Sequence, residues 1–180
     1  MNYFLVPILS ILFIFLLFGT FFIVKQQSAA IVERFGKFVS VRHSGLQIKI
    51  PIIDNVAGRL SLRIQQLDVV VETKTKDDVF VKVKVSVQYK VIKDKVYDAF
   101  YKLDFPQDQI TSYVFDVVRA EVPKMILDDV FEKKDDIAIA VKTELNDAMQ
   151  NYGFDIIKTL VTDIDPDAQV KESMNRINAS

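Results

Sequence analysis

Residues 79–91 read VFVKVKVSVQYKV and carry the clearest structural signal of the chain. All the odd-numbered positions are apolar, whereas most of the even-numbered positions carry Lys, Ser or Gln. A period of two sustained over this length is typical of an antiparallel strand with one buried face and one wetted face. Lys76-Asp77-Asp78, directly before the stretch, has the composition of a turn.

The segment before this turn also alternates, but its phase changes by one residue at Gln65-Gln66. The apolar residues occupy even positions before that point and odd positions after it: Leu60, Leu62 and Ile64, then Leu67, Val69 and Val71. A β-bulge at Gln65-Gln66 would keep these side chains on one face. We therefore predict one long hairpin formed by residues 60–71 and 79–91.

The segments on either side of this hairpin indicate an α+β fold. Residues 29–35 and 46–50 are predicted strands, bounded by glycines and Pro51. After Lys93 the apolar period becomes helical, which predicts helices over residues 96–100, 106–123 and 137–152, and a short turn capped by Asp128. A strand over residues 154–164 and a last helix that starts at Asp165-Pro166 complete the order. Strands followed by helices, one strand and one helix are typical of the α+β class.

The N-terminal segment is a different kind of polymer. Residues 3–24 read YFLVPILSILFIFLLFGTFFIV, and no charged residue occurs in residues 1–24. A helix of this length covers roughly 33 Å, which matches a hydrocarbon core of about 30 Å. We predict a transmembrane or membrane-inserted helix. A cleaved signal peptide, with small residues at Ser28-Ala29-Ala30, and a buried soluble helix are the alternatives.

Basic residues follow this segment and predict its orientation. Lys25, Arg34, Lys37, Arg42 and Lys49 lie on its C-terminal side, so the positive-inside bias places the following domain in the cytoplasm. A shallow hairpin with its turn near Pro7 would give the same result. The predicted organisation is a single hydrophobic anchor in residues 1–24, a folded domain in residues 25–165, and the start of a C-terminal helix in residues 166–180.

Residues that could form a catalytic site are scarce. His43 is the only histidine and is followed by Ser44, with Asp54 as the nearest acid, and the chain has no cysteine. Adjacent Ser and His side chains in an extended segment point to opposite faces, so they cannot pair as a serine triad requires. We predict no catalytic residue and no enzymatic activity.

Acidic and basic clusters have simpler interpretations than a binding site. Asp163, Asp165 and Asp167 lack the Gly and Glu of a calcium loop, and we interpret Asp165 as a helix cap. No cofactor or metal site is therefore predicted. A net charge of −1 gives no general attraction to nucleic acid. Lys82, Lys84 and Lys90, on the wetted face of the long strand, could meet anionic lipid or another subunit, but a solvated strand face is the simpler interpretation.

Two motifs after the hydrophobic segment carry a resemblance to a known family. Residues 27–38 read QSAAIVERFGKF and residues 45–54 read GLQIKIPIID. An apolar anchor followed by E-R-x-G-K and G-L-x-x-x-x-P-x-x-D resembles the start of the Band 7 or SPFH domain family, which includes stomatin, prohibitin and flotillin. Residues 63–91, 101–138 and 152–167 most closely resemble the hypersensitive-induced-response and bacterial stomatin-like branch.

This resemblance implies a non-enzymatic scaffold. Members assemble as large homo-oligomers on membranes, where they organise lipids into microdomains and regulate partner proteins such as membrane proteases or channels. It also implies that the strands of residues 27–91 lie near lipid and that the helices near residues 107–152 pack between subunits. A regulatory adaptor of a membrane protease or channel that forms no ring is the alternative.

The chain departs from the family pattern in two places. Relatives continue into a long assembly helix, of which Val170, Met174 and Ile177 form only the beginning. We therefore expect that the chain is truncated there or assembles differently. Residue 2 is Asn and cysteines are absent, so the apolar segment is the only evident anchor.

Overall fold

Residues 4–178 are the part of the chain that the structure, a computed structural model, describes, without the side chains of residues 169, 170 and 178. The chain divides after Arg63 into two units. Unit 1 comprises the residues up to Arg63, and unit 2 begins at Ile64.

Unit 1 consists of one helix and two small antiparallel sheets. Its elements are α1 (Leu5–Thr20), β1 (Phe21–Val24), β2 (Ser28–Arg34), β3 (Lys37–Arg42), β4 (Gly45–Ile48) and β5 (Asp54–Ser61). Strands β1 and β4 pair with each other, and the second sheet has the order β3-β2-β5. The central strand β2 is buried on both faces, which accounts for its continuous apolar run from Ala29 to Val32.

Unit 2 consists of one antiparallel sheet and five helices among the residues described. Its elements are β6 (Gln65–Lys74), β7 (Phe80–Val91), α2 (Val96–Tyr101), α3 (Pro106–Glu121), α4 (Leu127–Glu132), α5 (Lys134–Gln150), β8 (Phe154–Pro166) and α6 (Ala168–Asn178). The strand order is β6-β7-β8. A short 3-10 turn at Lys93–Lys95 joins β7 to α2, and another at Val122–Lys124 lies between α3 and α4.

The core of unit 2 confirms the alternation and the helical stripes that the sequence predicts. The odd-numbered residues of β7 from Val81 to Val91 are buried. The helices α3 and α5 pack against each other, α3 against β6 and α5 against β8. Thr159 on β8 donates a 2.6 Å hydrogen bond to the Ala138 carbonyl of α5, which satisfies a buried hydroxyl. The α+β class is confirmed.

The predicted bulge at Gln65-Gln66 is wrong. Strand β5 ends at Ser61 and pairs with β2, whereas β6 begins at Gln65 and pairs with β7 in another sheet. The change of phase therefore marks the passage of the chain from one sheet to the next. The predicted hairpin is correct only for β6 and β7.

Two predicted helix starts are displaced by contacts distant in sequence. Helix α4 begins at Leu127, whose N–H donates to the carboxylate of Asp77, so Asp77 rather than Asp128 satisfies this helix end. The last helix begins at Ala168 rather than at Asp165-Pro166, because Pro166 still pairs with Val81 in the sheet.

Helix α6 shows only part of the predicted apolar stripe. The side chain of Val170 lies outside the described residues, Met174 is half-buried and Ile177 is exposed. The carboxylate of Asp167 accepts the Ala168 N–H at 2.6 Å, so Asp167 caps this helix in place of Asp165.

The single helix predicted over residues 3–24 is wrong at its C-terminal end. Helix α1 ends at Thr20, and Phe21–Val24 form β1, paired with β4. Aromatic and β-branched residues favour a strand where a partner is available. Among residues 4–178, no helix combines the length and the apolar character needed to cross a membrane.

Candidate functional site

Helix α1 presents an uncharged surface with no buried residue. Twelve of its sixteen residues are Ile, Leu, Phe or Val. Its two hydroxyl groups are satisfied within the helix, because Ser10 donates to the Val6 carbonyl at 2.9 Å and Thr20 donates to the Leu16 carbonyl at 2.8 Å. The side chains of α1 therefore require no water to complete their hydrogen bonds.

The apolar surface of α1 continues onto the β1–β4 sheet. The pairs Phe21–Ile48 and Ile23–Leu46 lie opposite each other in the two strands, and all four side chains are exposed. A cavity of about 500 Å³ between the end of α1 and these strands is lined entirely by apolar side chains, Leu17, Phe18, Phe21, Phe22, Ile23 and Leu46. We call α1 together with Phe21, Ile23, Leu46 and Ile48 the apolar face. Contiguous apolar patches of this extent mark interaction sites.

Backbone contacts fix the C-terminal end of α1 to the rest of unit 1. The Thr20 carbonyl accepts a 2.8 Å hydrogen bond from the Lys49 N–H. A Cβ at Gly19 would lie 3.1 Å from the Cβ of Pro51, so glycine permits the close approach of this loop. The apolar face is thus joined to the loop that follows β4.

Two further apolar side chains lie at turns near this loop. Phe35 is 84% exposed and Ile52 is 87% exposed, at φ angles of +50° and +72°. The left-handed conformation costs a residue with a Cβ roughly 1–2 kcal/mol. Because Arg34 and Asp54 are partners in the β2–β5 register, both turns lie at the same end of the sheet. Neither side chain gains burial in return for the strained backbone.

An ion pair holds these two turns together. The Arg34 Nε donates to Asp54 Oδ1 at 2.7 Å and Nη2 donates to Oδ2 at 3.3 Å. Asp54 Oδ2 also accepts the Ile50 N–H at 2.9 Å. The Arg34 hydrogen bond, followed by that of Ile50, lowers the pKa of the Asp54 carboxyl below its ordinary value. The E-R-x-G-K and P-x-x-D motifs therefore meet through this buried carboxylate.

The structure does not assemble His43, Ser44 and Asp54 into a catalytic arrangement. Both carboxylate oxygens of Asp54 are engaged by Arg34 and Ile50. Ser44 is exposed, and the hydrogen bond described at His43 is from Gln47 Nε2 to its carbonyl oxygen.

Two acids of the cluster Asp163, Asp165 and Asp167 serve the β8–α6 junction. Asp165 forms an ion pair with Lys171, and Asp167 caps α6. Within residues 4–178, no group of three or more His, Asp and Glu side chains is placed to hold a metal ion.

The lysines on the wetted face of β7 have acidic neighbours. Lys82 pairs with Glu72 at 3.2 Å, Lys84 lies 3.8 Å from Asp68, and Lys90 is opposite Asp155 in the sheet register. These carboxylates offset the positive charge, which favours an ordinary solvated strand face over a lipid-binding one.

Sequence reasoning did not find the Arg34–Asp54 pair or the exposed turns. The available signal was that Phe35 directly precedes Gly36 and Ile52 directly follows Pro51, at turns where a large apolar side chain has no core to enter. The ion pair has no local signal, because its members are twenty positions apart.

Known proteins similar to this chain share most of its length. A model of the SPFH domain / Band 7 family matches residues 22–180. Hypersensitive-induced response protein 4 of Arabidopsis thaliana is 48% identical over 158 residues, which cover 87% of this chain and 54% of that protein. Stomatin-like protein 2, mitochondrial, of Homo sapiens is 31% identical over 152 residues, covering 84% of this chain and 42% of that protein. The chain spans about half the length of the curated relatives it matches.

The Asp54→Asn variant tests the role of the ion pair. Because the pKa of Asp54 is lower in the folded chain, the carboxylate stabilises the fold above the ordinary Asp pKa of about 3.9, and this contribution is lost as the pH falls through the lowered value. We expect Asp54→Asn to lower the unfolding temperature of the detergent-solubilised chain at pH 7. The difference from the unsubstituted chain should narrow below about pH 4.

Hydrogen exchange at Ile50 gives a local readout of the same variant. The Ile50 amide should exchange faster in Asp54→Asn, while Asp116→Asn, an exposed carboxylate on α3, should leave it unchanged. Equal protection of Ile50 in all three proteins would show that the pair does not hold this loop.

Proposed function

The chain belongs to the SPFH domain / Band 7 family, and from this premise we propose that it is a membrane-anchored scaffold that assembles with copies of itself. The resemblance predicted from residues 27–38 and 45–54 is confirmed. The proposed role is to organise lipids into microdomains and to regulate partner membrane proteins, such as a protease or a channel. The chain has no reaction of its own in this proposal.

The observation that supports membrane anchoring is the exposure of the apolar face. Each Ile, Leu, Phe or Val contributes about −0.3 to −0.6 kcal/mol on insertion, so the sum over α1 is several kcal/mol in favour of lipid. The sixteen residues of α1 extend about 24 Å, which is shorter than the roughly 30 Å hydrocarbon core of a bilayer. We infer that α1 inserts into the bilayer from one side and that β1 and β4 lie at its surface.

The exposed turns support the same placement. Phe35 and Ile52 lie at the end of the sheet that is tied to the C-terminal end of α1 through Pro51 and Lys49. Insertion of their side chains into the interface would offset the backbone strain that nothing in unit 1 repays.

A scaffold role is supported by the structural contacts that the candidate acidic residues make. The carboxylate of Asp54 is used to join two turns, and the acids near β8 are used by Lys171 and the start of α6. In this proposal the protein acts through its location at the membrane and through the assembly of many copies of the chain. The identity of its partner proteins is also a matter of proposal.

Phe15→Lys tests the anchor against a matched control. Phe15 on α1 and Phe105, before α3, are each 70% exposed, so both variants make the same change at equal exposure. Replacing Phe by Lys within an inserted helix costs about 3 kcal/mol. We expect Phe15→Lys to lower the affinity for phosphatidylcholine vesicles, measured by flotation, about a hundredfold. Phe105→Lys should float as the unsubstituted chain does, and equal loss in both variants would contradict the anchor.

The mass of the detergent-solubilised full chain separates the scaffold from its alternative. For a scaffold, light scattering should give the mass of an assembly of many copies. A single copy in a micelle would contradict self-assembly and favour the adaptor that forms no ring.

A further inference from the structure

A second cavity in unit 1, of about 370 Å³, lies at the C-terminal end of α1. Its walls include Thr20 and the carboxylate of Asp54. They also include three cationic side chains, those of Arg34, Arg42 and Lys49. We call it the basic pocket. Unlike the apolar cavity at Leu17 and Phe18, the basic pocket has charged side chains in its walls.

The basic pocket has a surplus of positive charge. Arg34 neutralises Asp54 through two hydrogen bonds of 2.7 and 3.3 Å, and Asp54 receives a further bond from the Ile50 N–H. Three cations against one carboxylate therefore leave the charges of Arg42 and Lys49 without a counter-ion among the pocket residues. Such a site attracts an anion.

Arg42 supplies a separate reason to expect a ligand. Its Nε is buried and has no hydrogen-bond acceptor within the described part of the chain. A buried donor that stays unpaired has lost its hydration without a replacement, most unfavourably on a charged group, so native structures rarely contain one. A guanidinium presents several N–H donors in a planar fork that matches phosphate oxygens.

Lys49 is placed to assist. Its backbone N–H is held by the Thr20 carbonyl at 2.8 Å, and its ammonium makes a long 3.4 Å contact with the Asp54 carbonyl. An ammonium has three donors, so this contact leaves capacity for an anion.

The surroundings indicate which anion. Ile48, which belongs to the apolar face, and Ile50 are exposed at the wall of the basic pocket. An anion held there would therefore sit where hydrocarbon and charge meet, which is the position of a phospholipid headgroup beside an inserted helix.

We propose that the basic pocket binds the phosphate of an anionic phospholipid, with Arg42 as its main ligand and Lys49 as a second. This inference rests on the proposed membrane anchoring by α1. The bound lipid would place its phosphate against Arg42 and its chains along the apolar face. The membrane attachment would then select for lipid with an accessible anionic phosphate.

Arg42→Gln tests the pocket, with Arg59→Gln as the control. Arg59 is an exposed residue of the same unit on β5, so both variants lose one charge. On vesicles of phosphatidylcholine mixed with phosphatidic acid, loss of a surface charge weakens binding by about fivefold, since each basic residue contributes about 1 kcal/mol. We expect this for Arg59→Gln and a loss at least ten times larger for Arg42→Gln. Equal losses in the two variants would overturn the pocket.

Pure phosphatidylcholine vesicles distinguish this failure from failure of the anchor. The unsubstituted chain and both variants should float equally with them. If none floats, the anchor itself is wrong. Arg42→Lys keeps the charge and loses the fork, so its affinity for the mixed vesicles should fall between those of the unsubstituted chain and Arg42→Gln.

Titration of the detergent-solubilised full chain identifies the source of the phosphate without relying on vesicles. Short-chain phosphatidic acid should bind tightly and lose affinity in Arg42→Gln, whereas inorganic phosphate should bind much more weakly. Equal affinity for the two ligands would overturn the assignment to lipid and indicate a site for free phosphate. No binding of either would overturn the pocket.

Discussion

Helix α1 carries apolar side chains on every side, and none of its residues is buried by the described part of unit 1, residues 4–63. Even its hydroxyl groups bond to carbonyls of the preceding turn. In water such a helix would hold a large unfavourable apolar area, so a stable state requires another apolar phase. The fold leaves α1 uncovered and fixes only its end.

That end is fixed by backbone groups rather than by side-chain packing. Strand β1 pairs with β4, and the Lys49 N–H bonds to Thr20. The Arg34–Asp54 pair then connects the loop after β4 with the turn after β2. A buried carboxylate that accepts three hydrogen bonds gives this corner a defined geometry. The end of α1, the two turns and the cationic side chains of the basic pocket are thereby held where they can contact the same membrane surface.

The sequence predicted those parts of the fold whose signals are local. The alternation of β7 and the stripes of α3 and α5 each report which face is buried, and the structure buries those faces. The phase change at Gln65-Gln66 predicted a bulge wrongly, because a bulge and the passage of the chain into another sheet produce the same change in the apolar pattern. The end of α1 was missed because Phe21–Val24 is as apolar as the helix before it, and its partner β4 is distant in sequence. The basic pocket was likewise not predicted, since Arg42 ends β3 and Lys49 follows β4, and these two strands belong to different sheets.

The depth of α1 in a bilayer is the decisive quantity to measure. The chain has no cysteine, so Phe13→Cys on α1 and Phe105→Cys in unit 2 each provide a single position for a spin label. Collision with oxygen, which concentrates in hydrocarbon, and with a water-soluble nickel chelate then reports the surroundings of each label on vesicle-bound protein. If α1 is inserted, the label at position 13 meets oxygen and is shielded from the chelate, whereas the label at position 105 meets the chelate. A label at position 13 that is as accessible to the chelate as the one at position 105 would contradict insertion.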